Sequence, residues 1–374
     1  MTEPVRRITL REIRLPLREP FQISSGTTTV RRILLLELEA ADGISTWSEC
    51  VASELPNYSP DTIDTSWLAI RDWVAPRVLG KRFATGAEVA SALDAGIRGH
   101  KMPKAAVEMG WWALDALRRG VSLAEALGGS RRRIATGISL GIQPDPQTLV
   151  DKVRDAVAAG YRKVKIKIKP GADVGYLAAV RDALGPGPEL MADANSAYTL
   201  ADVEHLRRLD AFGLLMIEQP LAWDDLVRHA ELQKHLETPI CLDESITGLA
   251  QAEDMLSLGS GRIVNVKPGR VGGFAASRAI HDLCHGNGIP VWCGGMLESG
   301  VGRAYNVALA SLPGFTLPGD VSPSARYWER DVVVPEWTMD ENGMVDVPWD
   351  RPGLGVEVDR DRIEDLTVRA ETVR

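Results

Sequence analysis

Four residues able to do acid, base or metal chemistry recur at an even interval: Asp193, Glu218, Asp243 and Lys267 are separated by 25, 25 and 24 residues. Each closes a short run of apolar residues. A lone carboxylate in such a place usually caps the helix that follows. Three at equal spacing point elsewhere, because carboxylates gathered at one rim repel strongly in a low dielectric unless cationic partners separate them or they share a cation. An all-oxygen set suits a hard ion such as Mg²⁺, which keeps positions open for water and substrate. Upstream, Lys163, Lys165, Lys167 and Lys169 alternate with Val164, Ile166 and Ile168. On a half-exposed strand this is a solvated face with an apolar back. On a strand covered outside by helices the lysines face inward, where crowding of ammonium groups near a metal lowers a lysine pKa toward that of a usable base. Lys267 then projects from the opposite side. Two bases facing each other across a bound carbon acid can take a proton from one face and return one to the other.

The elements that must position these groups form a repeat. Apolar runs at 134–142, 163–169, 189–195, 214–220, 239–245, 262–268, 289–295 and 314–320 are separated by helical segments and by Gly or Pro. One parallel strand, one helix and two short loops need about 25 residues. The pattern predicts an α/β fold: a (β/α)₈-type barrel, TIM-like but modified, with functional groups at the strand ends. A doubly wound open sheet is the alternative. Residues 1–127 read as an α+β capping domain. Strands at 6–17 and 31–40 flank EPFQISSGTTTV, read as a long mobile loop, and helical periodicity runs through AAVEMGWWALDALRRG to its Gly. The barrel is assigned to 128–321 and a tail returning to the capping domain to 322–374.

Fifty-one acids against 43 bases leave a net charge of −8, which disfavours a nucleic-acid partner held by a basic surface. No apolar segment reads as a signal or membrane span, so a cytoplasmic protein is expected. Cys50, Cys241, Cys284 and Cys293 lie far apart without CxxC and read as buried thiols. His281 and His285 imitate a zincin pair, but HDLCH lacks Glu after the first His, and both fall in the last turn of an expected helix. Gly269, Gly272 and Gly273 match no phosphate-loop spacing and read as close packing. Trp111 and Trp112 read as helix packing.

Taken in order, VKIKIKPG, DANSAYT, IEQPL, CLDES, VNVKPGRVGG and VWCGGMLESGVGRA resemble the enolase superfamily in its muconate-lactonising subgroup. The resemblance is greatest to the o-succinylbenzoate synthase and N-acylamino acid (N-succinylamino acid) racemase family, and GHKMPKAAVEMG and LPGDVS extend it over nearly the whole chain. It implies Mg²⁺, replaceable by ions such as Mn²⁺, on Asp193, Glu218 and Asp243, with Lys167 and Lys267 as the paired bases. Lys165 and Asn195 would lie beside the metal and the substrate carboxylate. Arg270 matches an arginine of the racemase-containing branch. Ser139, Gly295, Met296, Phe21 and Tyr58 complete the expected substrate contacts. The implied reaction is abstraction of a proton α to a carboxylate through an enediolate. It ends either in racemisation or in dehydration to o-succinylbenzoate for menaquinone biosynthesis, in a homo-oligomer.

EPFQISSGT and ECVASELPNYSPD are expected to close as a lid over the acyl end of this small-molecule substrate. Ser24, Ser25 and Ser53 make that lid more polar than the racemase pattern. This favours a succinyl carboxylate, bound with help from Arg270 or Tyr58. A dipeptide epimerase, a muconate cycloisomerase, a metal-independent Schiff-base lyase on the same barrel and a non-catalytic binding protein are the competing readings.

Overall fold

The computed structural model describes residues 3–24 and 26–374. The chain opens with a long hairpin, β1 (Val5–Ile23) and β2 (Gly26–Ala40), followed by β3 (Ser45–Cys50). Ile8, Leu10, Ile13 and Leu15 are buried while most residues between them reach the surface, the two-residue period of a sheet with one face on a core. The helix α1 (Lys101–Arg119) covers that face and ends at Gly120, whose φ of 66° requires a residue without Cβ strain. Ser48 Oγ of β3 donates to the Ala106 carbonyl of α1 at 2.7 Å.

The segment read as a long loop is mostly strand. Pairing is irregular between Pro16 and Phe21, then resumes with Phe21 opposite Thr28, Gln22 opposite Thr27 and Ile23 opposite Gly26. Thr27, Thr28, Thr29 and Val30 are β-branched and suit a pleated ribbon, a signal that the polar character of the segment masked. The hairpin docks on the rim of the parallel sheet, where the Ile142 N–H donates to the Gln22 carbonyl at 2.9 Å. Gly141 permits this approach, since a Cβ there would stand 2.7 Å from the same oxygen. Ser25 lies outside the described residues.

A curled parallel sheet follows, in strictly sequential order: β4 (Ile138–Leu140), β5 (Val164–Lys167), β6 (Leu190–Asp193), β7 (Ile217–Glu218), β8 (Ile240–Leu242), β9 (Ile263–Val266) and β10 (Val291–Cys293). Helices α2 (Pro146–Ala158), α3 (Val174–Leu184), α4 (Leu249–Leu258), α5 (Phe274–Gly286) and α6 (Gly300–Ala310) occupy the connections, with only short helices, Val203–Leu206 and Val227–Gln233, after β6 and β7. The sheet has seven strands, not eight. The last run, 314–320, carries Gly314, Pro318 and Gly319, which lack either the donor or the side chain a ladder needs. It makes single bridges only, Phe315 to Val291 on one edge and Gly319 to Thr136 on the other.

The C-terminal strand β11 (Thr367–Val373) pairs antiparallel with β1, and Met344–Asp346 pairs with Arg133–Ala135 at the foot of the parallel sheet. Inside the sheet, Met191, Met216, Cys241, Ile263 and Trp292 form a separate apolar cluster beneath the strand ends. All four cysteines are free and buried. Among the described residues, no helix is long and apolar enough to cross a membrane.

Two buried glutamates join the halves. Glu108 of α1 accepts the N–H groups of Phe274 and Ala275 at the start of α5, at 2.8 and 3.0 Å. Glu49 of β3 accepts from the Ser299 hydroxyl at 2.6 Å and the Gly302 N–H at 3.1 Å at the start of α6. Each supplies an acceptor that a helix N-terminus lacks.

Candidate active site

The strand register lines up the chemistry. Lys167 pairs with Asp193 across β5 and β6, and Asp193 with Glu218 across β6 and β7. Glu218 in turn pairs with Cys241, so Asp243 stands two residues beyond this row, past the end of β8. Lys267 follows β9 directly. All five are buried.

Each acid is matched with nitrogen donors. Lys167 Nζ is 2.6 Å from Asp193 Oδ2 and 2.6 Å from Asn195 Oδ1. Lys165 Nζ lies 2.6 Å from Asp320 Oδ2, 3.2 Å from Glu218 Oε2 and 3.3 Å from Asp193 Oδ2. Asn265 Nδ2 donates to Glu218 Oε1 at 2.6 Å. Lys267 Nζ lies 2.8 Å from Asp243 Oδ2 and 4.4 Å from the centre of the Tyr58 ring. Asp243 Oδ1 accepts from Tyr58 Oη at 2.8 Å and from Arg270. Lys163 is wholly buried with its ammonium 3.5 Å from the Trp292 ring centre, whereas Lys169 is half-exposed in the loop beyond the strand. Three of the four alternating lysines therefore point inward.

These contacts act on the lysines against burial. Burial lowers the Lys267 pKa, but Asp243 and Tyr58 outweigh it and leave the ammonium above its ordinary value. Burial is likewise outweighed at Lys165, by Asp320, Glu218 and Asp193. Only Lys163 is lowered, by burial. A carboxylate within 3 Å stabilises the ammonium more than crowding by like charge destabilises it. Burial acts to raise Asp193, yet Lys167 and Lys165 hold it below the usual range; Lys267 and Arg270 similarly bring Asp243 to about 2. Glu218 goes the other way. Burial first, then the charge of Asp193, pushes it well above the usual range.

Among the described residues, no group of three or more His, Cys, Asp or Glu is gathered tightly enough to hold a metal ion. Asp243 is turned toward Lys267 and Arg270, as Asp193 is toward Lys167. The donor chemistry nevertheless fits a hard dication. Asp193 and Glu218 are within hydrogen-bonding reach of each other, and the raised Glu218 pKa marks an excess of negative charge that a cation would relieve.

Above this row lies a cavity of about 330 Å³ lined by Lys167, Lys267 and Asn195, by Gly295 and Met296, and by Phe21, Ser53 and Tyr58 of the lid. Lys167 and Lys267 enter it from β5 and from the end of β9, strands with three others between them. Arg270 and Ser139 do not line it. Arg270 spends its guanidinium on Asp243, on Tyr58 Oη at 3.3 Å and on the Ile246 carbonyl at 2.8 Å. Ser139 is buried in β4, and its hydroxyl finds no partner. Lys165 lies beneath the cavity among the acids.

Sequence reasoning missed five contributors. Asn265 shares the face of Lys267 by strand alternation, a signal that was available. Glu244 and Asp320 stand inside CLDES and LPGDVS. Arg31 and Arg32 line the cavity from β2, and Arg31 secures the lid by donating to the Val51 and Ala52 carbonyls at 2.9 and 2.8 Å.

A parallel sheet carrying acids and lysines at consecutive strand ends, beneath an α+β cap, is the architecture of an enolase-superfamily enzyme, and the chain belongs to that superfamily. Residues 5–128 match the mandelate racemase / muconate lactonizing enzyme N-terminal domain and residues 148–362 the enolase C-terminal domain-like family. Over 96% of this chain and 95% of the relative, it is 49% identical to the o-succinylbenzoate synthase of Geobacillus kaustophilus. Over 96% of both chains it is 46% identical to the N-succinylamino acid racemase of Thermus thermophilus. The crystal structure of an enolase-superfamily member from Listeria innocua superimposes with a TM-score of 0.95 at 38% identity, covering 100% of this chain and 99% of that one.

Proposed function

We propose that this enzyme removes the proton α to a carboxylate, racemising N-succinylamino acids and converting a β-hydroxy acid precursor to o-succinylbenzoate in menaquinone biosynthesis. The observation that carries the reading is that Lys167 and Lys267 line one cavity from strands separated by three others. In this reading Asp193, Glu218 and Asp243 hold Mg²⁺, for which Mn²⁺ substitutes. The bound ion supplies charge neutralisation at the substrate carboxylate.

One lysine, as the free amine, accepts the α-proton from its face of the substrate. The Lys165 ammonium, fixed on Asp320 and Glu218, stays charged beside the developing enediolate and is no base. The opposite lysine, as ammonium, returns a proton to the other face and completes racemisation; the roles exchange for the other enantiomer. In the synthase reaction the electron pair instead forms the C=C bond as the β-C–O bond breaks, and the hydroxyl leaves as water with a proton returned by the lysine ammonium. Arg31, whose guanidinium donates to backbone carbonyls, gives the lid side of the cavity a cation that supports a succinyl carboxylate over an apolar acyl group, while Arg32 is paired with Glu12 and Asp64. Residues 1–127 serve as the lid domain, 128–321 as the catalytic barrel and 322–374 as the returning tail, in a cytoplasmic homo-oligomer.

The test is incubation of L- and D-N-succinylamino acids with enzyme and Mg²⁺ in D₂O, followed by NMR of the α-proton. Exchange from both enantiomers is expected. No exchange from either, together with no o-succinylbenzoate from the synthase precursor, would sink the reading.

A further inference from the structure

Glu244, next to Asp243 beyond β8, is 6% exposed. It lines a small cavity of about 170 Å³ behind Tyr58 rather than the one that holds the two lysines. Its Oε1 accepts a hydrogen bond from Asn195 Nδ2 at 3.0 Å, and Asn195 Oδ1 accepts from Lys167 Nζ at 2.6 Å. The first bond decides how the amide faces. A carboxylate only accepts, so it claims the NH₂ end and leaves the oxygen for the ammonium. With the acid gone, the amide can turn its NH₂ toward Lys167, donor against donor.

Asn195 is otherwise well fixed. Its N–H donates to Asp193 Oδ1 at 3.1 Å, and its carbonyl accepts from Ser24 Oγ at the hairpin tip at 3.2 Å. Its φ of 42° is left-handed, a conformation that Asn tolerates. The backbone is thus held from two sides, while the side-chain amide depends on Glu244. The arrangement is one-sided, because Lys267 rests on Asp243 and over Tyr58 and hydrogen-bonds to neither Asn195 nor Glu244, although its charge acts on Glu244.

We propose that Glu244 is a positioning residue that acts through the Asn195 amide to aim the Lys167 amine at one face of the substrate. The inference rests on reading Lys167 as one of the two proton-transfer bases.

The experiment measures α-proton exchange in D₂O from each enantiomer of one N-succinylamino acid separately, with Mg²⁺. Lys167→Ala identifies the enantiomer that Lys167 serves. Glu244→Ala is expected to slow exchange of that enantiomer about tenfold or more, since misplacing a reacting group by an ångström costs up to about a hundredfold. Exchange of the other enantiomer and KM should stay within about twofold. Glu244→Gln should recover most of the loss, because its carbonyl accepts the same bond. Asn195→Ala should slow exchange of that enantiomer more than of the other, and adding Glu244→Ala to it should cost nothing further. Equal slowing of both enantiomers, or slowing of neither, overturns the proposal. If the unaltered enzyme exchanges neither enantiomer, the proposed reaction fails instead. Crystal structures of the unaltered enzyme and Glu244→Ala then decide the positioning: Lys167 leaving Asn195 Oδ1 in the variant supports it, and an unmoved Lys167 overturns it.

Discussion

Glu108 in α1 accepts the backbone N–H of Phe274 at 2.8 Å, so a side chain of the cap closes the first turn of a barrel helix. The same carboxylate accepts from the Ala275 N–H and from Trp112 Nε1 at 2.8 Å. Gly273 makes room for it: a Cβ there would stand 2.4 Å from Glu108 Oε2, and its φ of 116° disfavours any other residue.

Glu108→Ala should therefore destabilise the fold by about 2 kcal/mol or more, because buried N–H donors lose their acceptor. Thermal unfolding should show a clearly lowered Tm. An unchanged Tm would show that the seam between cap and barrel does not depend on this contact.

Glu49 makes stability depend on pH. Burial pushes its carboxyl up to about 8 from an ordinary 4.5, although Ser299 and Gly302 donate to it. The folded state then binds its proton more tightly than the unfolded chain does. The stabilisation is complete below about pH 4.5 and is lost as pH rises through 8. Denaturant unfolding at pH 5, 7 and 8.5 should show a decline on the order of a few kcal/mol in the parent and a flatter profile in Glu49→Gln. Parallel profiles would remove Glu49 as the source.

Lys167→Ala and Lys267→Ala should each reduce racemisation by about a thousandfold or more, each variant retaining exchange of the enantiomer that the other lysine serves. Full racemisation by either variant would show the bases to be assigned wrongly. Circular dichroism of both variants checks that the loss is chemical.

Asp243→Asn should raise the Mg²⁺ concentration needed for half-maximal activity at least about tenfold. It also strips Lys267 and Arg270 of their carboxylate, so kcat should fall as well. Chelation by EDTA should abolish activity reversibly. An unchanged Mg²⁺ dependence would remove Asp243 from the ligand set.

The spacing of Asp193, Glu218, Asp243 and Lys267 made the parallel sheet and its rim readable, because each strand, helix and loop unit uses nearly the same length of chain. The eighth run was misread because its composition is strand-like while Pro318 and two glycines deny it a ladder. The hairpin tip was misread for the opposite reason, its threonines being polar in type and extended in habit. The residues that meet at the strand ends were legible where type and spacing coincide, as at Asp193 and Glu218, which the register sets side by side. It was illegible where partnership decides: nothing in a linear pattern pairs Asp320 with Lys165 or Arg270 with Asp243. The direction of the Lys165 and Lys267 pKa shifts follows from those pairings.

The two buried glutamates also bear on how such a protein can change. The cap meets the barrel through contacts that require agreement between distant stretches, Glu49 with Ser299 and Gly302, and Glu108 with Phe274 and Ala275. A cap grafted from a relative fits only if those turns travel with it. The hairpin tip, by contrast, meets the segment just past β4 through the main-chain carbonyl of Gln22, a bond that needs Gly141 opposite but no particular side chain at Gln22. New substrate preferences can therefore accumulate at the tip by single replacements, while the two halves of the molecule are inherited as one piece.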